Sequence, residues 1–322
     1  MLSIYQLMKY LRNTHNIAVK STQAQALRNI GYYHGYKGYR FIREDSNRIL
    51  FTSLDQIMAL NRFDLKLKTL LYSKVMFIET ALKNYVIEAL LEDSRTEQFE
   101  EIYKKSLTAY KLHEKGSKAY KAAYVKRIDL KMKIDAALAH AYKKKGVVGH
   151  FFNNDREVPV WAIFEVLTLG DFGTLYSCAN RSVNMYVSNI LKLPTNLDSD
   201  GLVTQFFIFT IKDLRNAIAH NNVVFDTRFK TAGIDGRLIR LLESEVGIEN
   251  LDFRYMDAYI IMIIYFLRKM GETKTECKRF VMAYNTQTEC LRKEIPIDIY
   301  DKILGTGHKS NMIAALNYIS VS

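Results

Sequence analysis

An arginine, an asparagine and a histidine on one short segment are the residues of this chain best suited to chemistry. Segment 206–220 reads FFIFTIKDLRNAIAH, and its apolar residues recur at the spacing of a helix face. These apolar residues are Phe207, Ile211, Leu214 and Ile218. The opposite face is predicted to carry Lys212, Arg215, Asn216 and His220. Asn216 and His220 are four residues apart and therefore neighbours on a helix surface, and the long side chain of Arg215 can reach back toward them.

These three side chains could cleave an RNA phosphodiester without a metal or another cofactor. Histidine titrates near neutral pH, so His220 could accept the proton of a 2′-hydroxyl or donate one to the leaving oxygen. Arg215 could hold the phosphate and stabilise the charge of the transition state, and Asn216 could orient the imidazole. An Arg-x4-His spacing is a weak signal by itself. The alternative interpretation is a helix-end histidine that interacts with the C-terminal dipole of its helix.

Positive charge is concentrated in one part of the chain. The formal net charge is +12, and residues 104–145 hold thirteen lysines and arginines against three acidic residues. Tyrosines are interleaved with this charge, as expected of a surface that binds a phosphate backbone and unstacked bases. The predicted RNA contacts are Lys111, Lys115, Lys118, Lys121, Lys126, Arg127, Lys131, Lys143, Lys144 and Lys145, together with Lys212. The alternative for this segment is a solvated helix face or a mobile arm.

Composition predicts a soluble, cytoplasmic protein. The three cysteines are an odd number without metal-ligand spacing, which favours reduced thiols over disulfides or a zinc site. The first twelve residues mix Lys9 and Arg12 into an amphipathic pattern, unlike a signal peptide. The longest apolar run, Ala258–Leu267, has ten residues. A membrane span needs about 20, so no membrane partner is expected.

The pattern of the chain predicts an all-α fold with little or no β structure. There are only three prolines and fifteen glycines, which leaves few breaks between helices. The chain is expected to begin with two helices split near Asn16, with Ser21-Thr22 capping the second, followed by an ordered turn over 31–41 with a short hairpin to Phe51. A helix opened by the Ser53-x-x-Gln56 capping box is then expected to run to about Leu91. The remaining predicted elements are a helix-rich basic region over 97–146, a linker over 146–154, a helix from Pro159 to about Gly170, the helical segment 206–221 and a helical block over 253–318.

Three blocks of sequence carry a further signal. The first comprises Gly31-Tyr-Tyr-His-Gly-Tyr36, Phe51-Thr-Ser-Leu-Asp-Gln-Ile57, Phe63-Asp-Leu-Lys-Leu-Lys68 and Ile78-Glu-Thr-Ala-Leu-Lys83. The second is segment 158–173, with a Pro-x-Trp and a Glu-Val-Leu-x-x-Gly element. The third is Asp213-Leu-Arg-Asn-Ala-Ile-Ala-His220, with a Leu-Arg-Asn-x-x-Ala-His element. In this order the three blocks resemble the Abi-like (abortive infection) family of the AbiD and AbiF type.

The resemblance implies membership of the HEPN superfamily of helical bundles. Many of its members are metal-independent ribonucleases that set two Arg-x4–6-His motifs together across a homodimer. Relatives act in phage defence, some with a small structured RNA as partner. The implied organisation is an N-terminal part (1–52), a HEPN-like core (53–230) with a basic helical insertion at about 97–146, and a C-terminal helical block (231–322).

The sequence leaves open the roles of two acidic residues and of Trp161, and the choice among three functions. Glu79 and Glu165 are possible supporting residues for the site, although an ordinary salt bridge of Glu79 with Lys83 is favoured. Glu165 is alternatively a partly buried hydrogen-bonding group, and Trp161 a core or interface aromatic. The leading hypothesis is a phage-defence endoribonuclease. The alternatives are a non-catalytic RNA-binding module that forms a ribonucleoprotein, and a protein scaffold whose motif serves dimer packing.

Overall fold

The computed structural model describes residues 3–144, 146–230 and 232–322, and within them the fold is all-α, as predicted. Lys145, one of the predicted RNA contacts, lies outside the described residues. Extended pairing in the described residues is limited to three isolated bridges between single residues. None of the helices among these residues is both long enough and apolar enough to cross a bilayer.

Fifteen α-helices make up most of the described chain. They are α1 (Ile4–His15), α2 (Ala24–Ile30), α3 (Leu54–Ser94), α4 (Phe99–Lys105), α5 (Lys118–Tyr142), α6 (Gly146–Phe152), α7 (Val160–Phe164), α8 (Leu169–Cys178), α9 (Arg181–Ile190), α10 (Val203–Ala219), α11 (Gly236–Val246), α12 (Met256–Lys269), α13 (Lys274–Glu294), α14 (Ile297–Leu304) and α15 (His308–Val321). Short 3-10 turns occur at Ser21–Gln23 and Ala109–Leu112, and a π-helical turn at Tyr32–Lys37.

The split between α1 and α2 is confirmed, but the predicted cap of α2 is wrong. Asn16 ends α1 in the left-handed conformation, with φ of 54°. Ser21 and Thr22 lie inside the 3-10 turn that precedes α2. The N-cap residue of α2 is Gln23. The side-chain oxygen of Gln23 accepts a hydrogen bond from the Lys20 amide at 2.7 Å, at the start of the 3-10 turn.

Segment 31–41 is helical where an ordered turn was predicted. It forms the π-helical turn Tyr32–Lys37. The hairpin expected after it is reduced to one bridge between Phe41 and Arg48. Two backbone hydrogen bonds accompany that bridge: Ile42 donates to Asn47 at 2.9 Å, and the Ile49 amide donates to the Arg40 carbonyl at 2.8 Å.

The long helix α3 begins where its capping residues predicted. The Ser53 hydroxyl accepts a hydrogen bond from the Gln56 amide at 3.4 Å. The Gln56 side chain accepts in return from the amide of Thr52 rather than that of Ser53, at 2.8 Å. The helix runs for 41 residues, slightly beyond the predicted end near Leu91.

Two predictions between residues 146 and 170 are wrong. The expected linker forms α6, in which Val148 and Phe151 are buried, so burial of apolar side chains orders this segment. The single helix expected from Pro159 to about Gly170 is two helices, α7 and α8. Thr168 separates them because its hydroxyl accepts a hydrogen bond from the Asp171 amide at 3.1 Å and caps the start of α8.

The chain forms two compact units, each assembled from non-contiguous parts of the sequence. Unit 1 comprises Met1–Val75, Asp213–Gly233 and Leu242–Ser322, and unit 2 comprises Met76–Lys212 and Ile234–Leu241. Three of the four boundaries fall within α3, α10 and α11, so these helices contribute residues to both units, and the fourth, between 233 and 234, precedes α11. The three-part division into residues 1–52, 53–230 and 231–322 stays a prediction.

Each unit has its own core. In unit 1, α12 is buried over Met256–Leu267 and packs against α13 and α15, so the longest apolar run of the sequence is a core helix. A polar cluster lies among these helices: the Asp257 carboxylate accepts from Tyr284 at 2.8 Å and pairs with His308 Nδ1 at 2.9 Å. In unit 2, α5 packs against α6 and α8. The three cysteines are unpaired, as predicted, and burial raises the pKa of the Cys277 thiol to about 11.

Candidate functional site

The motif helix α10 has the two faces that its sequence predicted. Its apolar stripe is buried, apart from Ile218, which is half-buried. On the other side, Arg215 and Asn216 are half-buried and His220 is exposed. The Arg215 guanidinium donates a hydrogen bond to the Asn216 side-chain oxygen at 3.4 Å. Arg215 and Asn216 are thus in direct contact, whereas orientation of the His220 imidazole by Asn216 stays a prediction.

The way in which α10 ends leaves His220 exposed. The His220 amide donates to the Asn216 carbonyl at 3.0 Å, so His220 directly follows the last helical residue, Ala219. Asn221 then takes the left-handed conformation with φ of 53°, which asparagine tolerates better than most residues. The Asn222 amide donates back to the Ala217 carbonyl at 2.8 Å, a bond typical of a helix C-terminal cap. His220 also lies where the helix dipole favours a cation, so the helix-end interpretation remains compatible with this geometry.

A buried aspartate in α3 fixes the chain that follows His220. Asp64 is 0% exposed. Its carboxylate accepts hydrogen bonds from the amides of Val224 and Phe225 at 2.8 and 2.9 Å. It also accepts from the Tyr39 hydroxyl at 3.1 Å and pairs with Lys68 at 2.8 Å. Four donors therefore satisfy one buried charge, and they join three distant parts of the sequence.

The neighbours of Asp64 extend this network to the surface. Lys68 donates a second hydrogen bond, to the side-chain oxygen of Asn221 at 2.9 Å, next to the motif histidine. Burial, and then the negative charge of Asp64, raise the pKa of the Tyr39 hydroxyl well above its usual range, so Tyr39 stays protonated and donates.

A second buried aspartate, Asp226, ties the Tyr/Gly-rich segment to the same loop. Its carboxylate accepts from the Arg43 amide at 2.6 Å and pairs with Arg228 at 2.7 Å. Arg228 also donates to the carbonyls of Gly38 and Phe41, at 2.8 and 2.7 Å. The parts of the first block that contain Gly31 and Asp64 thus meet the loop that follows the third block, within unit 1.

Sequence reasoning missed Asp64, Lys68, Asp226 and Arg228 as residues of this region. The i, i+4 spacing of Asp64 and Lys68 on a predicted helix was a usable signal for their ion pair. Nothing in the sequence indicated the partners of Asp64 and Lys68 in the 221–228 loop, because they lie 153 or more residues away along the chain.

The predicted RNA contacts of the basic segment fall into two groups. Most are exposed on unit 2: Lys111, Lys115, Lys118, Lys121, Lys126, Lys143 and Lys144. The side chains of Arg127 and Lys131 instead make contacts within unit 2. Arg127 is 7% exposed, stacks on the Tyr103 ring with 3.6 Å to its centroid, and donates to the Tyr103 carbonyl at 2.6 Å. Lys131 pairs with Glu100 at 2.6 Å, and this hydrogen-bonded contact raises the pKa of Lys131.

The exposed lysines of α5 line an open groove. The groove has a volume of about 640 Å³, and Lys118, Lys121, Lys126 and Lys133 border it together with Val125. Lys133 was not among the predicted contacts, although it continues the same helical spacing. Lys143 and Lys144 follow the other end of α5, which extends for about 38 Å along its axis. The arrangement is a basic stripe along one helix.

The remaining predicted residues also belong to unit 2. Lys212 is half-buried, with its Nζ 5.7 Å from the centroid of the Phe209 ring. The predicted salt bridge of Glu79 with Lys83 is confirmed at 3.0 Å. Glu165 is exposed at the end of α7, not partly buried as suggested. Trp161 is 41% exposed, so it is no core residue, and its indole donates to Glu97 at 3.1 Å.

The described residues form an all-helical fold with an Arg-x4-His motif at the C-terminal end of α10, in which His220 is exposed. The family model of the Abi-like proteins matches residues 25–226, more than half of the chain. The chain therefore belongs to the Abi-like family, and this membership indicates a role in abortive infection. No curated protein and no solved structure matches the chain.

Replacement of Asp64 is expected to destabilise unit 1 strongly. Asp64→Ala leaves the amides of Val224 and Phe225 and the charge of Lys68 without their buried partner, which should lower the free energy of unfolding by about 3–5 kcal/mol. The control is Asp55→Ala, in the first turn of the same helix, which removes an exposed ion pair with Lys20 of 3.4 Å and a hydrogen bond from Gln23 of 2.6 Å and should cost only about 1 kcal/mol. Urea unfolding followed by circular dichroism measures both. Similar small losses of unfolding free energy in the two variants would show that the Asp64 network does not stabilise unit 1.

Proposed function

We propose that this chain is a metal-independent endoribonuclease of the HEPN type that acts in phage defence. The observation that carries the proposal is the Arg215–Asn216–His220 group at the exposed end of α10 in a member of the Abi-like family. Exposure of His220 suits a group that must reach a substrate phosphate, and the planar guanidinium of the half-buried Arg215 suits a group that holds that phosphate. The active form is a homodimer in which two copies of the motif face one RNA strand.

Cleavage proceeds by attack of a 2′-hydroxyl on the adjacent phosphorus. His220 of one copy takes the proton of the 2′-hydroxyl as the bond from the 2′-oxygen to phosphorus forms. The bond from phosphorus to the 5′-oxygen breaks, and the second copy of the motif protonates that leaving oxygen. Arg215 stabilises the charge on the non-bridging oxygens. The products are a 2′,3′-cyclic phosphate and a 5′-hydroxyl.

The basic stripe of α5 supplies affinity for RNA in this proposal. Exposed lysines spaced along a helix meet successive phosphates of a strand, and the exposed Val125 and Tyr124 side chains add apolar and stacking surface. This surface also suits a structured small RNA that directs or restrains the enzyme. The same observation favours the second candidate function, a non-catalytic module that binds RNA in a ribonucleoprotein.

Loss of the motif histidine is expected to abolish RNA cleavage. Labelled transfer RNA and total cellular RNA are incubated in EDTA with wild type and with His220→Ala, each first stripped of nucleic acid at high salt. Removal of a general acid–base group should slow cleavage by about 10²-fold or more. His150→Ala, which removes an exposed histidine at the end of α6, is the matched control and should cleave like wild type.

Two outcomes of this assay contradict the proposal. Undiminished cleavage by a variant lacking Arg215, Asn216 and His220 together would assign the activity to a contaminant. Absence of cleavage by wild type, with RNA still bound tightly, would favour the binding module instead.

Charge reversal in the α5 groove is expected to weaken RNA binding. The triple variant Lys118→Glu, Lys121→Glu, Lys126→Glu removes three candidate phosphate contacts, so the salt dependence of log K should become shallower by about 2. Lys278→Glu, Lys293→Glu, Lys302→Glu makes the same change of net charge at exposed lysines of α13 and α14 and serves as the control. Filter binding over a range of salt concentrations measures both. An equal loss of RNA affinity in the two variants would exclude the groove as the RNA-binding surface.

A further inference from the structure

Unit 1 contains a pocket directly beside the chain that follows His220. The pocket has a volume of about 490 Å³, which is within the range of small-ligand sites. One wall is the Tyr/Gly-rich segment with Tyr33, and another is α3 with Leu65 and Lys68. The loop after the motif, including Asn221, closes the third side. We call this space the Tyr33 pocket.

The charges around the Tyr33 pocket are arranged to attract an anion. Lys37, Arg40, Lys68 and Arg228 line it, and Asp45 is the acidic residue among its described lining residues. Arg40 and Asp45 are 3.7 Å apart, and the Asp45 side chain is largely exposed, so this ion pair is loose. The two buried carboxylates behind the wall, Asp64 and Asp226, accept several internal hydrogen bonds each and do not line the pocket.

Hydrogen-bond donors remain available in the Tyr33 pocket after the internal network is complete. The Lys68 ammonium has three N–H groups, and two of them are directed to Asp64 and Asn221. The Asn221 side-chain oxygen is used by Lys68, which leaves the amide N–H₂ as a donor toward solvent. Lys37 is exposed at the rim, with its Nζ 5.5 Å from the centroid of the Tyr32 ring. These groups together can bind the oxygens of one phosphate.

An exposed aromatic ring stands beside these donors. Tyr33 is 71% exposed, and its ring lies 5.7 Å from that of the adjacent His34 between centroids. Leu65 is also 44% exposed and lines the same pocket. An exposed aromatic ring, an apolar side chain and cationic donors are the combination that binds a base and its phosphate.

We propose that the Tyr33 pocket binds one nucleotide of single-stranded RNA, with the base on Tyr33 and the phosphate held by Lys37, Arg40 and Lys68. The assignment of this nucleotide to RNA rests on the proposed ribonuclease function. Because Asn221 lines the pocket and directly follows His220, a nucleotide bound here lies next to the residue assigned to cleavage. The pocket therefore selects which phosphodiester reaches the motif, and it gives the enzyme its preference for a flanking base.

The test measures binding in a variant that cannot cleave. His220→Ala protein is titrated by calorimetry with each of the four nucleoside 3′-monophosphates, with inorganic phosphate, and with single-stranded RNA trinucleotides. Adding Tyr33→Ala and Lys37→Gln should weaken nucleotide binding by tenfold or more. The matched control adds Tyr5→Ala and Lys9→Gln, which removes an exposed tyrosine and lysine with the same i, i+4 spacing from α1 and should leave affinity unchanged.

The expected result is nucleotide and trinucleotide binding that the pocket variant loses and the control retains. Equal affinity in the pocket and control variants would overturn the inference, as would inorganic phosphate binding as tightly as the nucleotides. Binding of mononucleotides without trinucleotides would overturn the assignment to RNA. If no nucleotide binds while wild type still cleaves RNA, the pocket inference fails and the proposed ribonuclease stands. If nucleotides bind in the pocket but wild type cleaves no RNA, the pocket inference stands and the proposed ribonuclease fails.

Discussion

The buried carboxylate of Asp64 is the interaction on which the candidate site depends. A charge without access to water is stable only when hydrogen bonds replace its hydration, and Asp64 receives donors from Tyr39, Lys68, Val224 and Phe225. Two of these donors are backbone amides, so the carboxylate fixes the path of the main chain after α10 and not merely a side chain. The position of His220 follows from that path, since only a few residues separate it from Val224. Its counterpart in unit 2 is Asp198, which is also buried and accepts a hydrogen bond from the first amide of α10, at Val203, at 3.0 Å.

Buried charges contribute little to the surface charge of the chain. Asp64, Asp198, Asp226 and Asp257 are all at most 1% exposed and act as hydrogen-bond acceptors inside their units. Two of them are paired with a cation, Asp64 with Lys68 and Asp226 with Arg228. The basic face of α5 follows instead from the excess of lysines and arginines over acidic residues in segment 104–145. Arg127 shows the opposite case, because it is a cation enclosed by aromatic rings and a carbonyl. The net charge of a segment therefore overstates the number of cations that can meet a phosphate.

The sequence predicted those elements whose hydrophobic pattern extends over several turns. α3 and α10 have long apolar stripes, and both begin and end close to the predicted residues. The seven-residue helix α6 is too short to establish a period, and its glycines favoured a linker. The π-helical turn Tyr32–Lys37 is followed by Gly38, whose carbonyl accepts a hydrogen bond from Arg228, and no local pattern encodes that contact. The residue types of the motif identified it in the sequence. The residues that fix its position, such as Asp64, were not identified, because hydrogen bonds between residues far apart in the chain produce no local sequence pattern.

The central claim is that the 2′-hydroxyl of the RNA is the attacking group at the Arg215–Asn216–His220 motif. The most direct measurement maps one cut in an RNA oligonucleotide, then replaces only the nucleotide on the 5′ side of that cut by its 2′-deoxy form. The account predicts that wild type, in EDTA, no longer cuts at this position while other cuts continue, and that the unmodified RNA yields a 2′,3′-cyclic phosphate and a 5′-hydroxyl. Cleavage at the 2′-deoxy position, or products with 5′-phosphate ends, would show that water attacks instead and would contradict the account.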